Sequence, residues 1–593
     1  MSSPKFTELR DDEVDDEESP DGVRRAADAP DTDAATGALS SSASGASCWA
    51  SSVCCGSRLG ALAVAAIAIA TVALVIALLV GSLSGHSPSP PERATRRVVH
   101  VSDLHLDNFY DSRLPVQHCH CHTRPAFADP AGLCTAARRT VGASGASGSY
   151  GCDAPEAMVR TAITMTVRAA AAAQSTSILV SGDLTRHWTI EADDPSAMVR
   201  SAFHDVTAFF QEALTNEGAS KETPVIVAWG NDDFSKNYLF NTSVPCAGQT
   251  LMQQTAKMLE VNLPALHPDE ASRMQCAGFY RYDMPVAANK DNGSGEIRVL
   301  VLNTVMYSVK LSRWFPNPPD DPMGQFTWLR QELQSCREDP TCRGVWVLGH
   351  IAPGREICAG NSMWLEQYVE TYVAILRADA LAAGGGACKA QFFGHEHVNS
   401  VRLISADKSD AGIPPIFIQA AVSTIYENRP SFRVVDFNLM DATLVDFTVW
   451  SSRAVDDDIR AEDTAKLEAS WAESFSASEE FGLSDLSTPA VLAMIEKFSV
   501  DPTTGEESDA LRRFLDRAWD RGEGTSMPPP GSPCVRVPDF CYLKYSLERD
   551  ITKCLSQRRG DEEEIEEPDR AEEGAVKGGM GGGEDGAFLT FGR

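Results

Sequence analysis

Five short stretches of the chain carry residues able to bind metal or move protons: Asp103-x-His105, Gly182-Asp183, Gly230-Asn231, Gly349-His350 and Gly394-His395-x-His397. Carboxylate, amide and imidazole donors in one set suit divalent transition metals such as Zn, Mn, Fe or Co. A single D-x-H or G-H-x-H is usually structural. Five such stretches in series make a metal centre the better reading. Glycine beside a donor lets the backbone turn sharply and brings ligands together. Two more residues of the same chemical type lie close by: His187, four residues after Asp183 in "GDLTRHW", and Asp232, directly after Asn231.

Each stretch ends or closely follows an apolar run. "RVVHVSD", "SILVSGD", "PVIVAWGN", "IRVLVLNT", "GVWVLGH" and "AQFFGHEH" read as short strands, while Met158–Ala173 and Ala197–Leu214 read as helices. Apolar strands alternating with helices indicate an α/β fold whose sheet faces are covered. In such folds, sites form at the carboxyl ends of strands, where these donors fall. The spacing places a catalytic domain over 98–452. Apolar positions at helical spacing in "AVLAMIEKF" and "ALRRFLDRAW" predict a C-terminal helical, cysteine-containing subdomain over 453–559, and no internal repeat is present.

With these motifs in order, the chain resembles the calcineurin-like metallophosphoesterases. Within them it is similar to the acid sphingomyelinase-like phosphodiesterase and endopolyphosphatase branch. The likeness runs from about Val98 to Cys554 and includes "VLNTVMYS", "DPMGQFTWLRQEL", "IYENRPSFRVVDFN", "EFGLSDLSTPAVLAMIEKF" and "PCVRVPDFCYLKY". The resemblance implies a four-layer β-sandwich flanked by helices and two divalent metal ions. Asp103, His105 and His397 would hold one metal, Asn231, His350 and His395 the other, and Asp183 would bridge them. A metal-bridging hydroxide would then attack phosphorus in line, without a covalent enzyme intermediate.

The chain departs from the family at one place. Where the family reads G-N-H-D or G-N-H-E, this sequence has Gly230-Asn231-Asp232-Asp233, so the histidine that assists the leaving group is replaced by Asp232. His187 matches a second family position that faces the phosphate, and His187 and Asp232 are the candidate catalytic residues. Expelling an alkoxide needs a general acid more than expelling a phosphate does. The expected substrate is therefore a phosphoanhydride, inorganic polyphosphate first. A phosphodiesterase acting on nucleotide or phosphoalcohol esters is the alternative. A weakly active membrane scaffold is the non-catalytic one.

Residues 1–58 are acidic and read as a disordered cytosolic tail. Leu59–Leu83 has no charged residue and is long enough to cross a bilayer as a signal-anchor. A Ser/Pro-containing linker spans 84–97, and an acidic, Gly-rich tail spans 560–593. Thirteen of the sixteen cysteines follow the apolar segment, and close pairs such as Cys336/Cys342 and Cys534/Cys541 suit local disulfides. The sequons at Asn241 and Asn292 agree with an oxidising, glycosylating compartment. The expected topology is type II, with the body in a vacuole, a lysosome-like or other acidic lumen; the alternatives are the cell surface or secretion after cleavage. A net charge of −31 argues against nucleic-acid binding, which needs a basic face. The expected partner is a phosphate-containing small molecule or polyphosphate.

Overall fold

The computed structural model describes residues 95–114, 120–123, 147–220, 222–244, 246–286, 295–357, 360–500, 507–521 and 540–559. The apolar segment 59–83, the tails 1–58 and 560–593, most of the linker and the Asn292 sequon lie outside them. Among the described residues no helix is long and apolar enough to cross a membrane.

All six strands expected from the sequence form, within two six-stranded sheets. In the first sheet the order is Trp471–Ser476, Leu444–Ser452, Ser431–Asn438, Thr95–Val101, Ile178–Val180 and Val225–Val227. In the second it is Ser400–Arg402, Ile416–Ile418, Cys388–Phe393, Cys342–Leu348, Gly295–Val301 and Tyr280–Val286. In the first sheet the three neighbouring strands from Thr95–Val101 to Val225–Val227 run parallel, and in the second the four from Ile416–Ile418 to Gly295–Val301 do, with Val101 beside Val180 and Val301 beside Leu348. These strands are buried on both faces, as their unbroken Val, Ile and Leu runs require.

The sheets pack face to face. Trp346 of the second meets Phe437 of the first edge-on at 4.9 Å between ring centres, and Phe392 meets His100 at 5.2 Å. Helices cover the outer faces. Glu156–Ala172 buries Val159, Ile163 and Ala170 against the first sheet, and Gln325–Glu338 and Glu366–Ala380 pack on the second. The helix Pro195–Asn216 starts with proline in its first turn and with Asp194 accepting from the Ala197 amide at 2.9 Å.

The described residues of the segment expected to be helical over 453–559 form six helices, from Thr464–Ala469 to Glu548–Arg559, but they also supply the edge strand Trp471–Ser476. Only Trp471 and Phe475 bury apolar side chains in that strand, too few for the alternation to declare it. Among the described residues, four disulfides link Cys121–Cys152, Cys246–Cys276, Cys336–Cys342 and Cys541–Cys554. The suggested Cys534/Cys541 pair is corrected: Cys541 bonds Cys554, since the helices Cys541–Lys544 and Glu548–Arg559 pack together and set their Cα atoms 5.8 Å apart. Cys388 is a free, buried thiol.

Candidate metal centre

The parallel strands of both sheets deliver their carboxyl ends to one place. Thr95–Val101 leads to Asp103 and His105, Ile178–Val180 to Asp183, and Val225–Val227 to Asn231. From the second sheet, Cys342–Leu348 leads to His350 and Cys388–Phe393 to His395 and His397. The structure thus gathers all seven candidate ligands, from both sheets, into one buried cluster. Five of them, Asp103, His105, Asp183, His395 and His397, have positive φ between 39° and 72°. Such left-handed backbone is costly for residues with a β-carbon and concentrates at functional sites.

Two glycines are required by close approach. A β-carbon on Gly230 would stand 2.0 Å from Asp183 Oδ1, and one on Gly394 would stand 2.5 Å from Asp103 Oδ2.

The donors fall into two groups joined at Asp183. In one, His105 Nε2 lies 3.2 Å from His397 Nε2, 3.5 Å from Asp183 Oδ2 and 3.7 Å from Asp103 Oδ1. In the other, His350 Nε2 lies 3.1 Å from Asp183 Oδ2, 3.0 Å from Asn231 Oδ1 and 3.2 Å from His395 Nδ1.

Hydrogen bonds fix the orientation of these groups. His105 Nδ1 donates to the Thr185 carbonyl at 2.9 Å, and His350 Nδ1 donates to that of Ser181 at 2.7 Å. Both rings therefore turn Nε2 inward. The Asn231 amide is locked with its oxygen inward, because its Nδ2 donates to Asp232 and Asn237 at 2.9 Å each. Nε2 of His350, Oδ1 of Asn231 and Oδ2 of Asp183 thus converge on one point, where positive charge is needed: a proton on His350 Nε2, or a divalent cation in its place. Imidazole, amide and carboxylate donors turned to one point fit the implied metals.

The electrostatics record the same demand for positive charge. Burial pushes both imidazoles down, but Asp103 and Asp183 outweigh it at His105, held up to about 10, and Asp183 does so at His350, held up to about 9. Burial and His350 push His395 down to about 3. Burial raises Asp183, yet His350 and His105 bring it to about 2.

Beside the cluster, His187 stacks on His105 with ring centres 4.0 Å apart. Its Nδ1 donates to Asp153 Oδ1 and its backbone amide to Asp153 Oδ2, both at 2.9 Å. Burial and His105 push the His187 imidazole down, but Asp153 and Asp232 prevail and its pKa is raised. Asp232 stays in the site. Its carboxylate lies 3.9 Å from His187 Nε2 and its amide donates to Asp183 Oδ1 at 2.8 Å. Burial, then Asp183, pushes Asp232 up to about 7. Asp233 is spent on structure, accepting from the Gly230, Leu184 and Thr185 amides.

Sequence reasoning missed three neighbours. Asp153 orients His187 from 34 residues away and also accepts from Ser423 Oγ at 2.9 Å. Tyr238 sets its hydroxyl 3.4 Å from His395 Nε2, and Tyr426 packs edge-on against His397 at 4.7 Å. Tyr426 lay within a family-like stretch, whereas nothing local distinguished Asp153 or Tyr238.

No family model matches the chain. Curated relatives do. Human acid sphingomyelinase-like phosphodiesterase 3b is 25% identical over 68% of this chain and 80% of its own length. Rat cyclic GMP-AMP phosphodiesterase SMPDL3A is 23% identical over 68% and 80%. Sphingomyelinase phosphodiesterase D of Dictyostelium discoideum is 30% identical over 26% and 34%. Among solved structures, a dimetal phosphatase from Danio rerio aligns over 60% of this chain and 95% of its own at 11% identity and a TM-score of 0.31. The shared sequence, read together with the donors that converge on Asp183, makes the chain similar to the acid sphingomyelinase-like phosphodiesterases and consistent with a calcineurin-like metallophosphoesterase, a metal-dependent phosphoester hydrolase.

Proposed function

We propose that the chain hydrolyses a small phosphodiester, of a nucleotide or phosphoalcohol, at a dinuclear centre of Zn, Mn, Fe or Co. Asp103, His105 and His397 would hold one ion, Asn231, His350 and His395 the second, with Asp183 shared. Two bound cations would polarise the phosphoryl group and balance the charge it gains in the transition state.

The observation that carries the diester reading is the Asp153–His187 pair. Asp153 occupies His187 Nδ1, so a proton held by His187 at Nε2 faces the site. A proton donor there serves an alkoxide leaving group, which a phosphoanhydride does not need. His187 therefore compensates for the histidine that Asp232 replaces. The relatives named for phosphodiester cleavage, matching 68% of the chain, support the same substrate class. Polyphosphate is kept as the second reading because of Asp232, whose carboxylate brings no proton to a leaving group once ionised.

The test is a substrate panel with the purified chain: a cyclic dinucleotide, a nucleotide alkyl ester, sphingomyelin and long-chain polyphosphate. Faster turnover of one of the diesters agrees with the proposal, and a preference for polyphosphate sinks it.

We also propose that Leu59–Leu83 anchors the chain with its body in an oxidising compartment, an acidic lumen or the cell exterior. The four disulfides support that side of the membrane. Protease protection of sealed vesicles tests it: digestion of the body from the cytosolic side would rule it out.

A further inference from the structure

The turn that carries His395 and His397 is strained on both sides of the residue between them, Glu396. His395 has φ 72° and His397 φ 57°, left-handed backbone that residues with a β-carbon rarely adopt. Such conformations are costly and persist only where the surroundings over-determine them. The Glu396 side chain, 3% exposed, supplies part of that restraint. Its Oε1 accepts from Arg402 Nη2 at 2.6 Å, and its Oε2 accepts from the Ile357 amide at 3.1 Å. Arg402 is fully buried, and its Nη1 donates to the Pro353 carbonyl at 2.7 Å.

Pro353 and Ile357 belong to the loop that leaves His350. Arg355 of the same loop is pinned to the C-terminal helix Glu548–Arg559, where its Nε donates to Glu548 Oε2 at 2.8 Å. One carboxylate and one guanidinium therefore cross-link the loop after His350 to the turn that bears His395 and His397. The histidines on the two sides of that link, His350 Nε2 and His395 Nδ1, stand 3.2 Å apart. A buried ion pair is weak evidence of stability, because desolvation offsets the attraction and an apolar pair of similar volume often serves as well. An apolar pair lacks the fork. Arg402 reaches Glu396 and the Pro353 carbonyl at once through directed hydrogen bonds, which fixes geometry as well as contact.

We propose that Glu396 and Arg402 are positioning residues for the second metal, holding His350 and His395 at the separation that grips the ion they share with Asn231. This role rests on the dinuclear reading. Asp103 and His105 follow the strand Thr95–Val101 of the first sheet, so the first ion keeps two of its donors outside the cross-link. Loosening the link therefore falls mainly on the second ion, both of whose histidines are borne by the cross-linked segments.

The experiment strips the full chain of metal, titrates it with Zn²⁺ by calorimetry and records the Tm of the metal-free chain. The wild-type chain should take up two ions. Arg402→Lys keeps the charge and loses the fork. Its second ion should bind about 10–100-fold more weakly, the usual cost of removing a partner that orients metal ligands. Its first-ion affinity should stay within a fewfold of wild type, and its metal-free Tm within a few degrees. Glu396→Met combined with Arg402→Met leaves no unpaired buried charge and should show the same selective loss. If Arg402→Lys does not fold, the double variant decides; if neither folds, the pair serves stability alone and the positioning role is overturned. Wild-type affinity for the second ion in the folded variants overturns that role and leaves the dinuclear reading intact. Equal weakening of both ions also overturns it, as general loosening. A wild-type chain that takes up fewer than two ions overturns the dinuclear reading itself, and the positioning role with it.

Discussion

His350 Nε2 lies 3.0 Å from Asn231 Oδ1, and both atoms face Asp183 at the centre of the cluster. The Ser181 carbonyl takes the proton at His350 Nδ1, and Asp232 and Asn237 hold the amide nitrogen of Asn231. Divalent cations held by these oriented donors would bind the folded state and not the unfolded one, so metal removal should destabilise the fold. Chelation should lower Tm, and restoring free metal to a hundredfold above its Kd should return about 2.7 kcal/mol. Calorimetry with and without chelator measures this. An unchanged Tm would count against a metal at this site.

Gly230→Ala tests close approach without touching a ligand. The added methyl would overlap both the carboxylate and the backbone amide of Asp183, so Asp183 must move as a whole. Misplacing a reacting group by about an ångström costs roughly a hundredfold in rate. A loss of that order in kcat, in a chain that still folds, is expected. Activity within a fewfold of wild type would show that Asp183 is not fixed where the account needs it.

His187→Ala separates leaving groups. On an alkyl diester, losing a general acid should cost about 10²–10⁴-fold in kcat. On a p-nitrophenyl ester, whose leaving group needs no proton, the loss should be far smaller. Asp153→Asn should show the same pattern in milder form, because it loosens His187 without removing it. Equal losses on both esters would assign His187 to binding instead.

Cys388 is fully buried, and burial, then Asp379, pushes its thiol up. The thiolate is the reactive species, so a raised thiol stays protonated at pH 8. Peptide mapping after iodoacetamide should find Cys388 unmodified in the native chain and modified after unfolding without reductant. Native labelling would mean that this part of the core opens.

Much of the scaffold was legible because it depends on local pattern. Runs such as "SILV" and "PVIV" are short and apolar throughout, as strands buried on both faces are, and each delivers a donor at its end. That these seven residues come together was legible from residue type and order. The left-handed backbone at Asp103, His105 and Asp183 was not, because it is imposed by convergence of two sheets. Nor was the hold of Asp153 on His187, which exists only once residues distant in sequence fold together. Asp232 shows the limit of reading by substitution. Its difference from the family pattern pointed to polyphosphate, yet the folded site supplies an oriented histidine close by. Trp471–Ser476 escaped notice because an edge strand with two buried apolar residues leaves too faint an alternation.

The most direct test of the dinuclear centre is metal stoichiometry by mass spectrometry on the purified chain and on His350→Ala. The account predicts two equivalents of divalent metal per wild-type chain and about one in the variant, whose other group, Asp103, His105 and His397, is intact. A catalytically active wild-type chain that holds fewer than two metals, or a variant that keeps both with unchanged affinity, would contradict it.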